Sequence, residues 1–160
     1  MIQFLTRTNT LWILFALFVL ETIGFGIVMA AWEFEIIDEM SDPELIRAHV
    51  EAMTQTQRTV HAWMTATLDV AYPLTYGALF TGLTLRAFRP IFALPAIAVI
   101  PTDLVEGVAQ VLFLLGNDSL LWIKSFVTPL KLTLFFAALL IALIALRVDF
   151  KKRRQKEATG

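Results

Sequence analysis

Several side chains that can exchange protons recur at helical spacing in one largely apolar segment, residues 60–85. A helix turns about 100° per residue, so these side chains would share one face, within an arc of about 80°. They are His61, Thr65, Asp69, Tyr72 and Tyr76. Imidazole, carboxyl and phenol groups held together in this way are typical of general acid/base chemistry.

Three further apolar segments carry polar groups with the same helical repeat. Asp103, Glu106 and Gln110 share an arc of about 60° in one of them. Lys124, Thr128 and Lys131 share a similar arc in the last segment, and Glu21 lies near the middle of the first. Ionisable groups inside a membrane cost at least a few kcal/mol each unless they face the protein interior. We therefore expect these stripes to face one another.

The acids outnumber the lysines in this set, so we expect at least one acid to hold a proton near neutral pH. We predict Asp69, Asp103 and Glu106 as the proton-handling, catalytic groups, with Lys131 as the main counter-ion. The remaining members are predicted to bind a ligand: Glu21, His61, Thr65, Tyr72, Tyr76, Gln110, Lys124, Thr128 and Lys131. A simpler interpretation is that these groups bond only one another and hold the helices in register.

Other chemistries find little support in the sequence. The chain has no cysteine, which removes disulfides and thiolate chemistry, and a near balance of 13 basic and 14 acidic residues gives no reason to expect nucleic-acid binding. Several acids from different helices resemble a carboxylate-bridged metal site, but the Glu-x-x-His spacing of such bundles is missing. We therefore predict no metal and no cofactor. No Ser/His/Asp arrangement favours nucleophilic acyl transfer.

Four apolar segments must position these residues. Each exceeds the roughly 20 residues that a helix needs to cross a membrane, and backbone polar groups in lipid require helices. The segments are 11–32, 60–85, 91–115 and 120–146, with an outer loop at 33–59 and a basic tail at 147–160. The predicted fold is an all-α, four-transmembrane-helix bundle forming one membrane domain over residues 1–160. Alternatively, the first segment is a signal peptide cleaved after Val28-Met29-Ala30, although Glu21 interrupts its apolar run.

Charge in the connections predicts the orientation. Basic residues concentrate in the tail and at Arg86 and Arg89, whereas the 33–59 loop is acidic, so both termini should be cytoplasmic. A bacterial inner membrane suits this pattern.

The outer loop carries helix signals of its own. Ser41 with Glu44 forms a capping box around Pro43, which predicts a short helix from about Asp42 to Met53. A second box, Thr54 with Gln57, begins the next segment.

The polar stripes end halfway along their helices. Toward the cytoplasm they continue as apolar positions such as Leu79, Val99 and Ala138. A channel needs a lining that water can wet over its whole depth. We therefore expect a half-depth polar pocket that opens outward or sideways to lipid and is closed below by apolar packing.

The order of these parts resembles the EXPERA-type membrane bundles of sterol isomerases and the sigma-2 receptor. The resemblance rests on cytoplasmic termini, a long outer connection, an acid before Pro73, Pro95-Ala96-Ile97 opening the third segment and Pro129 in the fourth. It covers most of the chain and implies a sterol-like or otherwise amphipathic ligand. The connection before the fourth segment is shorter than in those proteins, and Lys131 has no clear counterpart there.

Three functions remain open on the sequence alone. The one we favour is a protein that binds an amphipathic, lipid-derived molecule, with isomerase- or lyase-like acid/base chemistry as its enzymatic form. The second is a proton-coupled transporter, because Leu20-Glu21-Thr22-Ile23-Gly24 is similar to the first helix of small multidrug resistance transporters. The third is an accessory subunit, for which the polar stripes should face outward. The bilayer is the expected partner, and association with a second copy of the chain stays open.

Overall fold

Every secondary-structure element in the described part of the chain is helical. The computed structural model describes residues 2–159, which form six α-helices and one short 3₁₀ turn. In chain order the helices are α1 (Ile2–Leu5), α2 (Thr8–Trp32), α3 (Pro43–Ala52), α4 (Gln55–Ala87), α5 (Leu94–Leu114) and α6 (Leu121–Thr159), with the 3₁₀ turn at Pro90–Ala93 before α5. The all-helical fold class predicted from the sequence is confirmed.

Three of the helical segments are long and apolar enough to cross a membrane: Thr8–Trp32, Pro90–Leu114 and Leu121–Lys152. The chain is therefore suited to embedding in a membrane. Helix α4 is 33 residues long but less hydrophobic, because threonine, tyrosine, glycine and the charged residues of its polar stripe lower its mean hydropathy.

Helix α4 is central to the packing. It packs along α2, α5 and α6, and α5 and α6 also pack extensively against each other. Helix α2 has its main contacts with α4 and stands apart from α5 and α6, and none of its most apolar stretch is buried within the protein. The core is thus a three-helix unit of α4, α5 and α6 with α2 alongside.

A glycine allows α4 and α5 to approach each other closely. A Cβ atom added at Gly77 would lie 2.5 Å from Cγ1 of Ile100 and 3.0 Å from the carbonyl oxygen of Ala96. Small residues at helix contacts in membranes allow backbones to approach closely. Gly77 therefore sets the short separation between the two helices that carry most of the predicted acids.

The short helix in the 33–59 loop confirms the expectation within one residue at each end, but its predicted cap was wrong. Asp42, not Ser41, is the N-cap: its Oδ1 accepts a hydrogen bond from the backbone N–H of Glu44 at 2.8 Å. Pro43 occupies the first helical position and Asp42 directly precedes it, so the aspartate is the residue in reach of the free N–H groups. Glu44 instead contacts Arg47.

The second predicted capping box is confirmed. The backbone N–H of Gln57 donates to Oγ1 of Thr54 at 3.2 Å, and the Thr54 N–H donates to Oε1 of Gln57 at 2.8 Å. This box begins α4 directly after α3, so α3 folds back over one end of the helices. We call this the α3 end of the protein.

Apolar side chains from the 33–53 region close the α3 end. Phe34, Ile37, Ile46, Val50 and Met53 form one buried cluster with Ala62, Met64, Leu114 and Leu121. Because this cluster joins the connection to α4, α5 and α6, the connection is an integral part of the packed structure.

Candidate functional site

The polar stripes of α4, α5 and α6 face one another. Nine of their members form one buried group, which we call the polar cluster: His61, Thr65, Tyr76, Asp103, Glu106, Gln110, Lys124, Thr128 and Lys131. Each is 9% exposed or less, and His61, Gln110 and Lys124 are not exposed at all. Helical periodicity brings these residues onto facing sides, and the structure joins them by direct contacts.

Glu106 is the centre of the cluster. The ammonium group of Lys124 donates to its Oε1 at 2.7 Å, and the hydroxyl of Thr128 donates to the same oxygen. Its other oxygen, Oε2, forms an ion pair with Lys131. Two lysines and a hydroxyl thus hold this carboxylate in place, as buried charges require.

Asp103 lies on the other side of Lys131. The Lys131 Nζ atom is 3.4 Å from Oδ1 of Asp103, and the phenol of Tyr76 donates to Oδ2 at 2.6 Å. Lys131 is therefore placed between the two carboxylates and neutralises both in part. The sequence had singled out Lys131 as the counter-ion, but it gave no indication that Lys124 would also pair with Glu106.

Gln110 extends the cluster toward the α3 end. Its Oε1 accepts from Lys124 Nζ at 3.1 Å. Its Nε2 lies within hydrogen-bond distance of three groups: Oγ1 of Thr65 (3.0 Å), Oδ1 of Asp38 (3.2 Å) and Nε2 of His61 (3.3 Å). Asp38 belongs to the connection between α2 and α3. Sequence analysis missed this residue, although the neighbouring apolar pair Ile36-Ile37 in an acidic loop was a signal of burial.

Asp69 is the exception among the predicted acids. Its side chain is half-buried, and within residues 2–159 its carboxylate makes no hydrogen bond and no ion pair. It lies beside Gly107 of α5, where an added Cβ would be 3.6 Å from Oδ2 of Asp69. The backbone of α5 thus lies close to a carboxylate that has no partner of its own.

Glu21 and Tyr72 lie at the contact between α2 and α4. The hydroxyl of Thr75 donates to Oε1 of Glu21 at 3.0 Å, and Oε2 of Glu21 is buried without a hydrogen-bond partner. The phenol oxygen of Tyr72 is 3.2 Å from Oγ1 of Thr22. The hydrogen bonds of Glu21 and Tyr72 thus join α2 to α4, whereas the lysines of α6 are paired with acids of α5.

An aromatic layer closes the polar cluster on the side away from α3. Tyr76 packs against Phe135 and Phe80 with ring centroids 5.1 and 5.8 Å apart, and Phe18 stacks on Tyr72 at 5.2 Å. Leu79, Ala96, Val99 and Ala138 continue this buried apolar region. The side chains beyond the stripes are therefore apolar, as their sequence pattern predicts.

The polar groups fill the space that we expected to be an open pocket. Two cavities of about 630 and 610 Å³ lie elsewhere, one lined by residues of α2 and α3 such as Met29 and His49, the other beside Arg7 at the start of α2. The long side chains of Lys124 and Lys131 occupy the interval between α5 and α6. Of the predicted site residues, Glu21, Asp69 and Tyr72 stay partly exposed.

The carboxylates of the cluster do not converge as metal ligands. Among residues 2–159, no three His, Asp or Glu side chains come together in a way that could hold a metal ion. The acids are instead interleaved with ammonium, hydroxyl and amide groups. What the arrangement offers chemically is a connected set of hydrogen-bonded and charged groups, with one predicted acid, Asp69, outside those bonds.

Comparison of the chain with protein-family models, with curated proteins and with solved structures found no match.

Proposed function

We propose that this chain is a four-span membrane protein that binds the polar end of an amphipathic, lipid-derived molecule at Asp69. The observation that carries this proposal is the state of the Asp69 carboxylate: it is half-buried, has no hydrogen bond or ion pair within residues 2–159, and lies next to Gly107 of α5. The other two predicted acids, Asp103 and Glu106, are each tied to a lysine.

Charge balance supports this assignment. Within the cluster two carboxylates, Asp103 and Glu106, face two ammonium groups, Lys124 and Lys131, so these four charges compensate one another. Asp69 adds a negative charge with no cation of its own. An uncompensated charge in a membrane interior is costly, and a proton or a hydrogen-bond donor or cation of a ligand relieves that cost. Among the three predicted proton-handling acids, Asp69 is therefore the one most in need of a partner.

The surroundings of Asp69 suit a molecule that is partly apolar. Tyr72, one turn along α4, is half-buried and packs against Phe18 and Phe25 of α2. Helix α2 stands apart from α5 and α6, which leaves a side of α4 less covered than the others. An apolar body can lie among these rings while its polar end meets the carboxylate. The resemblance to EXPERA-type proteins is a further reason to propose a sterol-like ligand.

Acid/base conversion of the bound molecule is the enzymatic form of the same proposal. Asp69 would accept or donate the proton, because it is not engaged by a lysine. Asp103 and Glu106, held by Lys131 and Lys124, would contribute to the electrostatic potential at the Asp69 carboxyl group. An isomerase- or lyase-like step needs a general acid or base within hydrogen-bond reach of the reacting position, and Asp69 is the predicted acid that is not already engaged by a lysine.

Thermal-shift screening of the purified protein tests the binding proposal. Sterol-like, other lipid-like and cationic amphipathic compounds are compared on the wild-type protein, on Asp69→Asn and on Asp118→Asn, an exposed acid that serves as the matched control. We expect at least one class to raise the melting temperature of the wild type and of Asp118→Asn but not of Asp69→Asn. If no compound distinguishes Asp69→Asn from the other two proteins, the proposed site is wrong.

The proposed topology includes α4 as a fourth span across a bacterial inner membrane, with both termini on the cytoplasmic side. The chain has no cysteine, so single cysteines report sidedness without background. With four spans, Ser41→Cys and Ser119→Cys react with an impermeant thiol reagent added from the same side, and Lys151→Cys reacts from the other. Were α4 not to span, Ser119→Cys would react from the side opposite to Ser41→Cys.

A proton-coupled transporter is the second candidate, and Glu21 is the observation in its favour. Its Oε2 is buried and has no hydrogen-bond partner, as expected for an acid that exchanges a proton for a cargo. In that case Glu21→Gln abolishes pH-gradient-driven uptake of a cationic compound into proteoliposomes, while Asp69→Asn does not. An accessory subunit is less favoured, because its polar stripes should face outward and these are buried.

A further inference from the structure

The connection between α2 and α3 covers the polar cluster at the α3 end. Phe34 stacks on the imidazole of His61, with ring centroids 5.0 Å apart and an interplanar angle of 28°. Ile37 is completely buried, and both residues belong to the apolar cluster that includes Ala62. The polar cluster is therefore separated from the surroundings at this end by a few residues of non-helical chain.

Asp38 is the one residue of this connection that contacts the polar cluster through a charged group. Its Oδ1 lies 3.2 Å from Nε2 of Gln110, which is also 3.0 Å from Oγ1 of Thr65 and 3.3 Å from Nε2 of His61. The amide nitrogen of glutamine has two hydrogens, and Thr65 and Asp38 offer them oxygen acceptors, whereas Nε2 of His61 accepts in only one tautomer of its ring. When Asp38 moves away, the amide loses one of these two oxygen acceptors.

Release of Asp38 therefore breaks a hydrogen bond from the Gln110 amide to a charged acceptor, and such a bond is stronger than one between neutral groups. Burial of two apolar side chains, Phe34 and Ile37, also opposes release. Opening of the connection is thus opposed by one charge-assisted hydrogen bond and by a small apolar contact.

The two ends of the connection are fixed. At its start, Glu33 has a left-handed backbone (φ 52°) directly after α2, and Nε2 of Gln57 donates to the carbonyl oxygens of Glu33 and Trp32 at 2.9 and 3.1 Å. At its end, Asp42 caps α3. The segment between these two anchored points is therefore short, and the contacts that hold it on the helices include the apolar cluster and the Asp38–Gln110 hydrogen bond.

We infer that residues 34–41 form a lid over the polar cluster and that Asp38 is its latch, a positioning residue that holds the lid closed on Gln110. The inference rests on the proposed function, because the lid controls whether a polar group can approach the cluster from the α3 end. With the lid closed, the predicted site residues that stay partly exposed are Glu21, Asp69 and Tyr72, away from the α3 end. The negative charge of Asp38 at this entrance favours cationic or hydrogen-bond-donating head groups over anionic ones.

A thiol-accessibility experiment on the full chain in detergent micelles tests the lid. The reporter is Ala62→Cys, buried in the same apolar cluster as Phe34 and Ile37, and the control reporter is Ala138→Cys, buried in the apolar region beyond the aromatic layer. Each reporter is combined with Asp38→Asn or with Glu39→Gln, which alters the exposed neighbouring acid. We expect Asp38→Asn to raise the labelling rate at position 62 about fivefold and to leave position 138 unchanged. Glu39→Gln should change neither rate.

The inference is overturned if Asp38→Asn leaves the labelling of Ala62→Cys unchanged, or if it raises the labelling at positions 62 and 138 equally. The second result would show general loosening of the fold. Amide hydrogen exchange of the variants without cysteines provides an independent readout: faster exchange confined to residues 34–41 in Asp38→Asn supports the lid, and unchanged exchange there contradicts it. No ligand is present in either experiment, so failure of the lid and failure of ligand binding at Asp69 are separate outcomes.

Discussion

The Nζ atom of Lys124 lies 2.7 Å from Oε1 of Glu106, and neither side chain is exposed beyond 1%. A fully buried ion pair is stable only when both charges are present and hydrogen-bonded. Here Gln110 and Thr128 supply the additional hydrogen bonds, and Lys131 balances the second carboxylate oxygen. The pair therefore links α5 to α6 at the middle of the polar cluster.

Removing one member of this pair should destabilise the protein strongly. Lys124→Met leaves Glu106 with a single lysine in a buried site, and we expect the free energy of unfolding to fall by about 3 kcal/mol. The measurement is unfolding by denaturant titration in micelles, followed by circular dichroism. Glu44→Gln, which removes an exposed ion pair with Arg47, is the control and should have little effect. Equal stability of Lys124→Met and the control would contradict the structure.

The contact at Gly77 predicts a second difference in stability. Gly77→Ala places a methyl group 2.5 Å from Cγ1 of Ile100, which is attached close to the backbone and cannot easily move away. We expect a loss of about 1–3 kcal/mol in the free energy of unfolding. Gly26→Ala in α2 meets no atom within 4 Å and should be neutral or slightly stabilising. If Gly26→Ala lowered the free energy of unfolding as much as Gly77→Ala does, the close contact between α4 and α5 at Gly77 would be contradicted.

The cap of α3 can be tested at two adjacent residues. Asp42→Ala removes the acceptor for the N–H of Glu44 and should cost about 1 kcal/mol, which corresponds to amide exchange in α3 that is about fivefold faster. Ser41→Ala should leave this exchange unchanged, because Ser41 makes no capping bond in the described structure. The reverse pattern would restore the capping box that the sequence suggested.

Much of the helical architecture follows from the sequence, because apolar length and 3.6-residue periodicity are local properties. Helix ends are less well predicted: α4 begins at Gln55, five residues before the apolar segment, and α6 continues through the basic tail to Thr159. A charged sequence with few helix breakers can extend a helix beyond the apolar span, so hydropathy alone does not mark its end. Serine and aspartate are both good N-cap residues, so the sequence does not decide between Ser41 and Asp42. The backbone geometry at the start of α3 decides it in favour of Asp42.

The sequence was sufficient to predict that the polar stripes face one another. It did not show whether their side chains line an open pocket or pack together and fill it. That outcome depends on the distance between helices, which Gly77 and the lysine side chains determine together. The contact of Asp38 with Gln110 joins residues 72 positions apart, and the neighbouring pair Ile36-Ile37 signals burial without indicating which residue Asp38 contacts. Asp69 fitted the predicted stripe, yet its lack of a partner is visible only after every neighbouring charge has been placed.

The most direct test of the account is the equilibrium dissociation constant of the best amphipathic compound from the thermal-shift screen. It is measured on the wild-type protein, Asp69→Asn and Asp118→Asn at one detergent concentration. Loss of a charged hydrogen-bond acceptor in the site predicts binding to Asp69→Asn that is weaker by tenfold or more, with Asp118→Asn unchanged. A dissociation constant that is the same in all three proteins would contradict the proposal that Asp69 meets the ligand.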